Sequence, residues 1–139
     1  MTVFPDYSEE HFLRDVKKWV ASGASAKVVR PRDGYSLLHQ AAEFQDVAAI
    51  EYLIGAGCDP NQRDNYGQTP LHIAVDSEID AAIQTQGRVE YKATKKLIEL
   101  GAKTNVPDKQ GATPIDWVNR YGEVARKRFR EVVCDNGDV

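Results

Sequence analysis

The segment Gly67-Gln68-Thr69-Pro70-Leu71-His72 recurs along the chain. It occurs 33 residues earlier as Gly34-Tyr35-Ser36-Leu37-Leu38-His39 and 44 residues later as Gly111-Ala112-Thr113-Pro114-Ile115-Asp116. A period of this size implies supersecondary units that bury their apolar faces against one another, not one closed globule. Function is then sought on an extended recognition surface before a catalytic pocket.

The likeness extends beyond the hexapeptide. After Gly34 come Ala41-Ala42, Leu53-Ile54, Gly57-Cys58 and Asp64; after Gly67 come Ala74-Val75, Leu97-Ile98, Gly101-Ala102 and Asp108. Thr69 can cap a helix through its hydroxyl, and Pro70 suits a first helical position because it has no N–H to leave unpaired. Gly57 and Gly101 follow the last apolar helical residues, where a left-handed residue closes a helix. Asp64-Asn65-Tyr66-Gly67 and Asp108-Lys109-Gln110-Gly111 are turn sequences. The pattern resembles the ankyrin repeat, and Thr69-Pro70-Leu71-His72-Ile73-Ala74 matches its T-P-L-H-x-A signature throughout. Ser36 and Leu37 replace Thr and Pro in the first repeat; Ile115 and Asp116 replace Leu and His in the third. The resemblance implies an all-α solenoid of helix-turn-helix units joined by short hairpin-like turns.

The spacing places one domain over residues 1–139. A capping half repeat spans 7–30, with Phe12, Leu13, Val16, Trp19 and Val20 at helical spacing after Ser8 and Glu9-Glu10. Repeats follow over 31–63 and 64–107, then a capping repeat over 108–133 and a tail over 134–139. In the last helix Arg126, Lys127, Arg128 and Arg130 give a polar outer face, with Val124, Phe129, Val132 and Val133 left to pack. The middle repeat carries 11 extra residues near 79–89. Ile79, Ala82 and Ile83 continue the spacing of Leu71, Ala74 and Val75, so an extended first helix is expected. A turn around Gly87 and a second helix from Val89 to Leu100 should follow.

No apolar run approaches a membrane span, and the N-terminus lacks the basic and apolar regions of a secretory signal. Two cysteines make no disulfide framework; Cys58 fills a slot held by Ala102 in the next repeat, a small buried thiol. A cytoplasmic location is expected. His39 and His72 occupy one slot of successive repeats without Cys or carboxylate at ligand spacing, so no metal is expected. The resemblance implies that their imidazoles bond to turn backbone. No nucleophile elbow, phosphate loop or dinucleotide fingerprint occurs, so neither an enzyme nor a cofactor is expected. Asp76, Glu78 and Asp80 are read as a solvated helix end.

The resemblance further implies that a partner protein contacts the turn tips and the exposed inner face of the first helices. By slot these are Arg32, Asp33 and Tyr35; Asn65, Tyr66 and Gln68; Lys109 and Gln110. The helix ends add Glu43 and Phe44, Asp76 and Ser77, Arg120 and Tyr121. Gln84, Gln86 and Arg88 of the insertion would rise beside that surface as contacts. Residues 34–75 hold Glu43, Asp46, Glu51, Asp59 and Asp64 against Arg63 alone, within a net charge of −3. This favours a basic protein partner and disfavours nucleic acid. A monomeric protein-binding module is the main expectation. The short format resembles stand-alone bacterial ankyrin proteins, some of which are immunity proteins that neutralise a toxin. A structural or assembly subunit is the alternative of another class.

Overall fold

A computed structural model describes residues 4–5 and 7–134. Its helices are α1 (Phe12–Ala21), α2 (Leu37–Glu43), α3 (Val47–Gly55), α4 (Pro70–Thr85), α5 (Lys92–Glu99), α6 (Pro114–Arg120) and α7 (Glu123–Phe129). A 3-10 turn, Glu9–His11, precedes α1, and a π-helical turn, Arg130–Cys134, continues α7. Among the described residues the extended pairing recorded is a single antiparallel bridge, Val29 to Ser36. The architecture is the all-α solenoid that the repeat implies. Of the expected tail over 134–139, Cys134 closes the π-helical turn and residues 135–139 lie outside the described residues.

The helices form two rows. In the first, α4 packs between α2 and α6; in the second, α3 packs between α1 and α5, and α5 meets the π-helical turn. Leu37, Leu38, Ala41, Leu71, Ala74 and Val75 of the first row are buried between the rows, with Ile50, Leu53 and Leu97 of the second. Each large aliphatic so placed contributes about 1.5–3 kcal/mol. Phe12 and Val16 are buried while Leu13, Trp19 and Val20 pack at the edge, so α1 serves as the missing repeat's second helix. Ser8 precedes the first turn but makes no side-chain cap bond.

Each first helix opens with the same reciprocal cap. The Thr69 hydroxyl accepts from the His72 N–H, and His72 Nδ1 accepts from the Thr69 N–H at 3.0 Å. Because Nδ1 accepts, the ring proton sits on Nε2, which donates to the Ala112 carbonyl of the next repeat at 2.9 Å. His39 repeats this arrangement, accepting from Ser36 N–H at 3.2 Å and donating to the Gln68 carbonyl at 2.8 Å. In the third repeat Asp116 accepts from Thr113 N–H at 2.9 Å and completes the box without a ring. Both imidazoles are fully buried. Burial holds each of them below the ordinary histidine pKa, against the opposing pull of the carbonyl bond.

The extra residues of the middle repeat lengthen α4, which has 16 residues against seven in α2. At 1.5 Å per residue it projects about 13 Å further. Gln86, left-handed at φ 54°, ends it one residue before the expected Gly87. The second helix starts at Lys92, not Val89, because Tyr91 is left-handed at φ 53° and supplies no side-chain cap. The cap comes from α4 instead. Glu78, expected in solvent, is buried at 7% exposure. It accepts from Ala93 N–H at 3.1 Å, Thr94 N–H at 2.8 Å and the Thr94 hydroxyl at 2.7 Å. A carboxylate at a helix N-terminus also opposes the helix dipole favourably. Burial nevertheless raises its pKa above the usual value, with these hydrogen bonds pulling the other way. Tyr91 is fully buried, donates its hydroxyl to the Ala125 carbonyl at 3.0 Å and meets Phe129 edge-on at 5.4 Å.

An unfolded histidine takes up its proton near pH 6.5, whereas the folded rings resist it. Stability is therefore full above about pH 6.5 and falls as pH drops below it, by up to about 1.4 kcal/mol per pH unit per histidine. Urea denaturation between about pH 7.5 and 5.5 should show this slope. A chain carrying both His39→Gln and His72→Gln should be weaker at neutral pH yet flatter; an unchanged slope would exclude the histidines as its source. Glu78→Ala leaves buried donors unmet and should cost about 2–4 kcal/mol, and Glu78→Gln should cost clearly less because an acceptor remains. Equal losses would mean that packing, not acceptance, is the role of Glu78.

Candidate functional site

The turns are built on aspartates. Asp64 Oδ1 accepts from the N–H groups of Tyr66 and Gln68, each at 2.9 Å. Asp108 Oδ1 does the same for Gln110 and Ala112, also at 2.9 Å. Neighbouring turns touch backbone to backbone: Asn65 N–H donates to the Asp33 carbonyl at 2.8 Å and Lys109 N–H to the Tyr66 carbonyl at 3.0 Å. This approach requires glycine. A Cβ on Gly34 would meet Asn65 Oδ1 at 2.6 Å and one on Gly67 would meet Lys109 N at 2.7 Å, with φ of 72° and 77°. The result is a fixed row of tips on which Arg32, Asn65, Tyr66, Lys109 and Gln110 are exposed. Tyr66 stands furthest out among the turn aromatics, 61% exposed.

Several residues expected as contacts serve the fold. Tyr35 is buried, not a surface aromatic; its hydroxyl donates to Glu43 at 2.7 Å and its ring lies 4.8 Å from the Arg30 guanidinium. Asp33 pairs with Arg30 at 2.8 Å and accepts from Tyr35 N–H at 3.2 Å. The Arg30 bond holds its carboxyl below the usual carboxylate range. Gln68 is half-buried, with its carbonyl bound to His39. Phe44 is half-buried and meets Phe12 of α1 edge-on at 5.3 Å, so it covers the N-terminal helix. Ser77 donates to the Glu43 carbonyl at 2.7 Å and accepts from Gln45 at 3.0 Å, tying α4 to the end of α2.

The remaining helix-end positions form a continuous strip. Glu43 leads through Ser77 to Asp76, whose carboxylate accepts from the Tyr121 hydroxyl. Burial first, then the bond to Asp76, pushes the Tyr121 pKa up to about 12. Asp76, Asp80 and Gln84 share one face of α4 at four-residue spacing, and Gln84 donates to Asp80 at 2.8 Å. On α6, Asp116 and Arg120 are exposed, with Arg120 lying 5.5 Å over the Trp117 ring. Glu43, Asp76 and Asp80 thus face a single cation, Arg120, along this strip, while Asp116, at the start of α6, holds the slot that His72 fills in the middle repeat.

Gln86 and Arg88 lie elsewhere. They line a groove of about 540 Å³ between the end of α4 and α7, not the inner strip. Sequence reasoning missed this groove because it assigned its apolar walls to the core. Val124, expected to pack, is 85% exposed, and Ile83 is 59% exposed. The basic face of α7 is only partly solvated: Arg126 and Arg130 pair with Glu123, and Arg128 with Glu90 at 2.9 Å. Among the described residues no three His, Cys, Asp or Glu side chains are grouped to hold a metal. Among the described residues no helix is long and apolar enough to cross a membrane.

A family model described as ankyrin repeats, in three copies, matches residues 8–108. Neurogenic locus notch homolog protein 2 of Homo sapiens is 34% identical over 108 residues, 78% of this chain and 4% of that protein. The ADP-ribosylation factor GTPase-activating protein AGD4 of Arabidopsis thaliana is 31% identical over 91 residues, 66% of this chain and 10% of its own length. The Nuclear factor NF-kappa-B p110 subunit of Drosophila melanogaster is 48% identical over 46 residues, 33% of this chain and 5% of its own length. The chain therefore spans only a small fraction of these relatives.

The Asp76–Tyr121 contact is open to titration. Asp76→Asn should bring the Tyr121 pKa down from about 12 toward the ordinary 10, read by the ring signals of Tyr121 in an NMR pH series. A pKa that stays put would assign the shift to burial and the nearby Asp80 carboxylate instead.

Proposed function

The chain belongs to the ankyrin repeat family, and from that premise we propose that it is a non-enzymatic module that binds a partner protein through its turn tips and inner helix strip. Ankyrin repeats are protein-interaction modules. The observation that carries this reading is the exposed Tyr66 on a rigid turn row together with the acidic strip of helix ends, Glu43–Asp76–Asp80. Aromatic anchors supply much of the energy of an interface, and a one-sign strip steers an oppositely charged partner. The partner is a basic protein, and not a nucleic acid, whose phosphates the strip repels. Arg32, Asn65, Lys109, Gln110 and Arg120 rim the surface, while Asp33, Tyr35, Gln68, Phe44 and Ser77 support it from behind.

One concrete form is an immunity protein that neutralises a cationic toxin in the cytoplasm as a free monomer; the acidic strip is the feature that favours it. The competing reading, an assembly subunit, would show as concentration-dependent self-association.

The test is affinity capture from the host with mass spectrometry, repeated with Tyr66→Ala and Asp80→Lys. Both residues are exposed, so melting temperatures should stay within about 2 °C of the parent. A specific partner should be basic and should lose about tenfold or more in affinity with each variant, about 1.4 kcal/mol. A partner retained in full by both variants would place its contact elsewhere.

A further inference from the structure

We infer that the groove between the end of α4 and α7 is a separate docking site, and that its occupant is an acidic protein segment carrying an aliphatic side chain. Its volume of about 540 Å³ lies within the roughly 300–1,000 Å³ range of sites that enclose a ligand group. Ile79, Ala82 and Ala125 floor it and are buried. Ile83, Tyr121 and Val124 form its rim at 59%, 38% and 85% exposure. Among the described residues seven large hydrophobics are exposed, and these three line one groove. Single exposed apolar residues are ordinary; a cluster around a concavity marks an interaction site.

Charge selects the occupant. Among the described residues the groove is lined by Arg88, Lys127 and Arg128 against Glu131, which lies 3.6 Å from Arg88 and 3.5 Å from Arg128; Glu90, beside the groove, also pairs with Arg128 at 2.9 Å, so the positive surplus centres on Lys127. Lys127 is exposed on the wall with no ion pair recorded among the described residues. This is a local reversal in a chain of net charge −3 and the opposite of the inner strip. A bound segment would place its aliphatic side chain on the floor and its carboxylates against Arg88 and Lys127. A nucleic acid fits less well, because the rim offers one aromatic ring, Tyr121, whose hydroxyl is held by Asp76, and no stacking platform.

The walls are already fixed. Arg128 Nε donates to the Val89 carbonyl at 2.8 Å and Tyr91 donates to Ala125 at 3.0 Å, so the insertion and α7 are tied across the floor. A pre-formed groove binds without the cost of ordering its own walls.

The test uses fluorescence anisotropy with short synthetic peptides that share a Leu-Leu core between Glu/Asp flanks or Lys flanks, beside a single-stranded oligonucleotide. The acidic peptide should bind at least about tenfold more tightly than the Lys-flanked one, and should weaken as salt rises. Val124→Asp and Lys127→Glu should each lower its affinity by about tenfold at unchanged melting temperature, whereas Tyr66→Ala should leave it unaltered. Equal binding of the two peptides, tighter binding of the oligonucleotide, or no binding at about 1 mM peptide overturns the proposal. So does a loss caused by Tyr66→Ala but not by Lys127→Glu. A loss with Tyr66→Ala alone would point to the turn row, and Asp80→Lys reports the inner strip separately.

Discussion

The Nε2–H of His39 reaches the Gln68 carbonyl at 2.8 Å, and that of His72 reaches the Ala112 carbonyl at 2.9 Å. Each ring simultaneously closes the cap of its own helix through Nδ1. One side chain thereby satisfies an orphan N–H at a helix start and a carbonyl in the following turn. Either bond alone contributes only about 0.5–1.5 kcal/mol, but leaving the buried groups unmet costs more. The spacing of repeats, the row of turns and the alignment of first helices all follow from this shared contact. The close approach of turns at Gly34 and Gly67 completes it with backbone bonds. The acidic strip lies along helix ends that this contact holds in line.

The lengthened middle repeat adds a second kind of cohesion. Stacking requires only that successive helix pairs cover one another, and α4 goes beyond that by about 13 Å. Its extension carries Glu78 to the start of α5, where the local sequence has no capping side chain. The same loop delivers Tyr91 beneath α7. The price of a buried carboxylate is offset by three donors, so Glu78 behaves as part of the scaffold. The free faces of the extension then become groove wall, with Ile83 and Arg88 turned toward α7.

Much of the fold was legible because the repeat repeats its chemistry. Thr69-Pro70 announces a capped helix start, and two registered glycines announce helix ends. The insertion was only half legible. Apolar spacing carried α4 onward, but no local rule says that Glu78 leaves the solvated face, since its partners stand 15 and 16 residues later. The candidate site was less legible still. Tyr35 and Tyr66 sit near turn glycines with the same side chain, yet one occupies the position after its glycine and the other the position before. That two-residue offset sends one ring inward to Glu43 and leaves the other in solvent. Val124 looked like core because it is apolar on a helix; only the position of α4 shows that it stands 85% exposed among the described residues.

The bond from Tyr91 to Ala125 and the grip of Arg128 on Val89 and Glu90 bear on how the stack comes apart. A repeat protein with only nearest-neighbour packing tends to fray from its ends inward, one unit at a time. Here α7 is fastened to the loop that precedes α5, so releasing it strips Tyr91 from its site and loosens the middle repeat. The C-terminal half is therefore expected to open as one cooperative unit. Its amides in α5 and α7 would exchange with solvent together, while α1, fastened mainly by packing on α3, opens on its own.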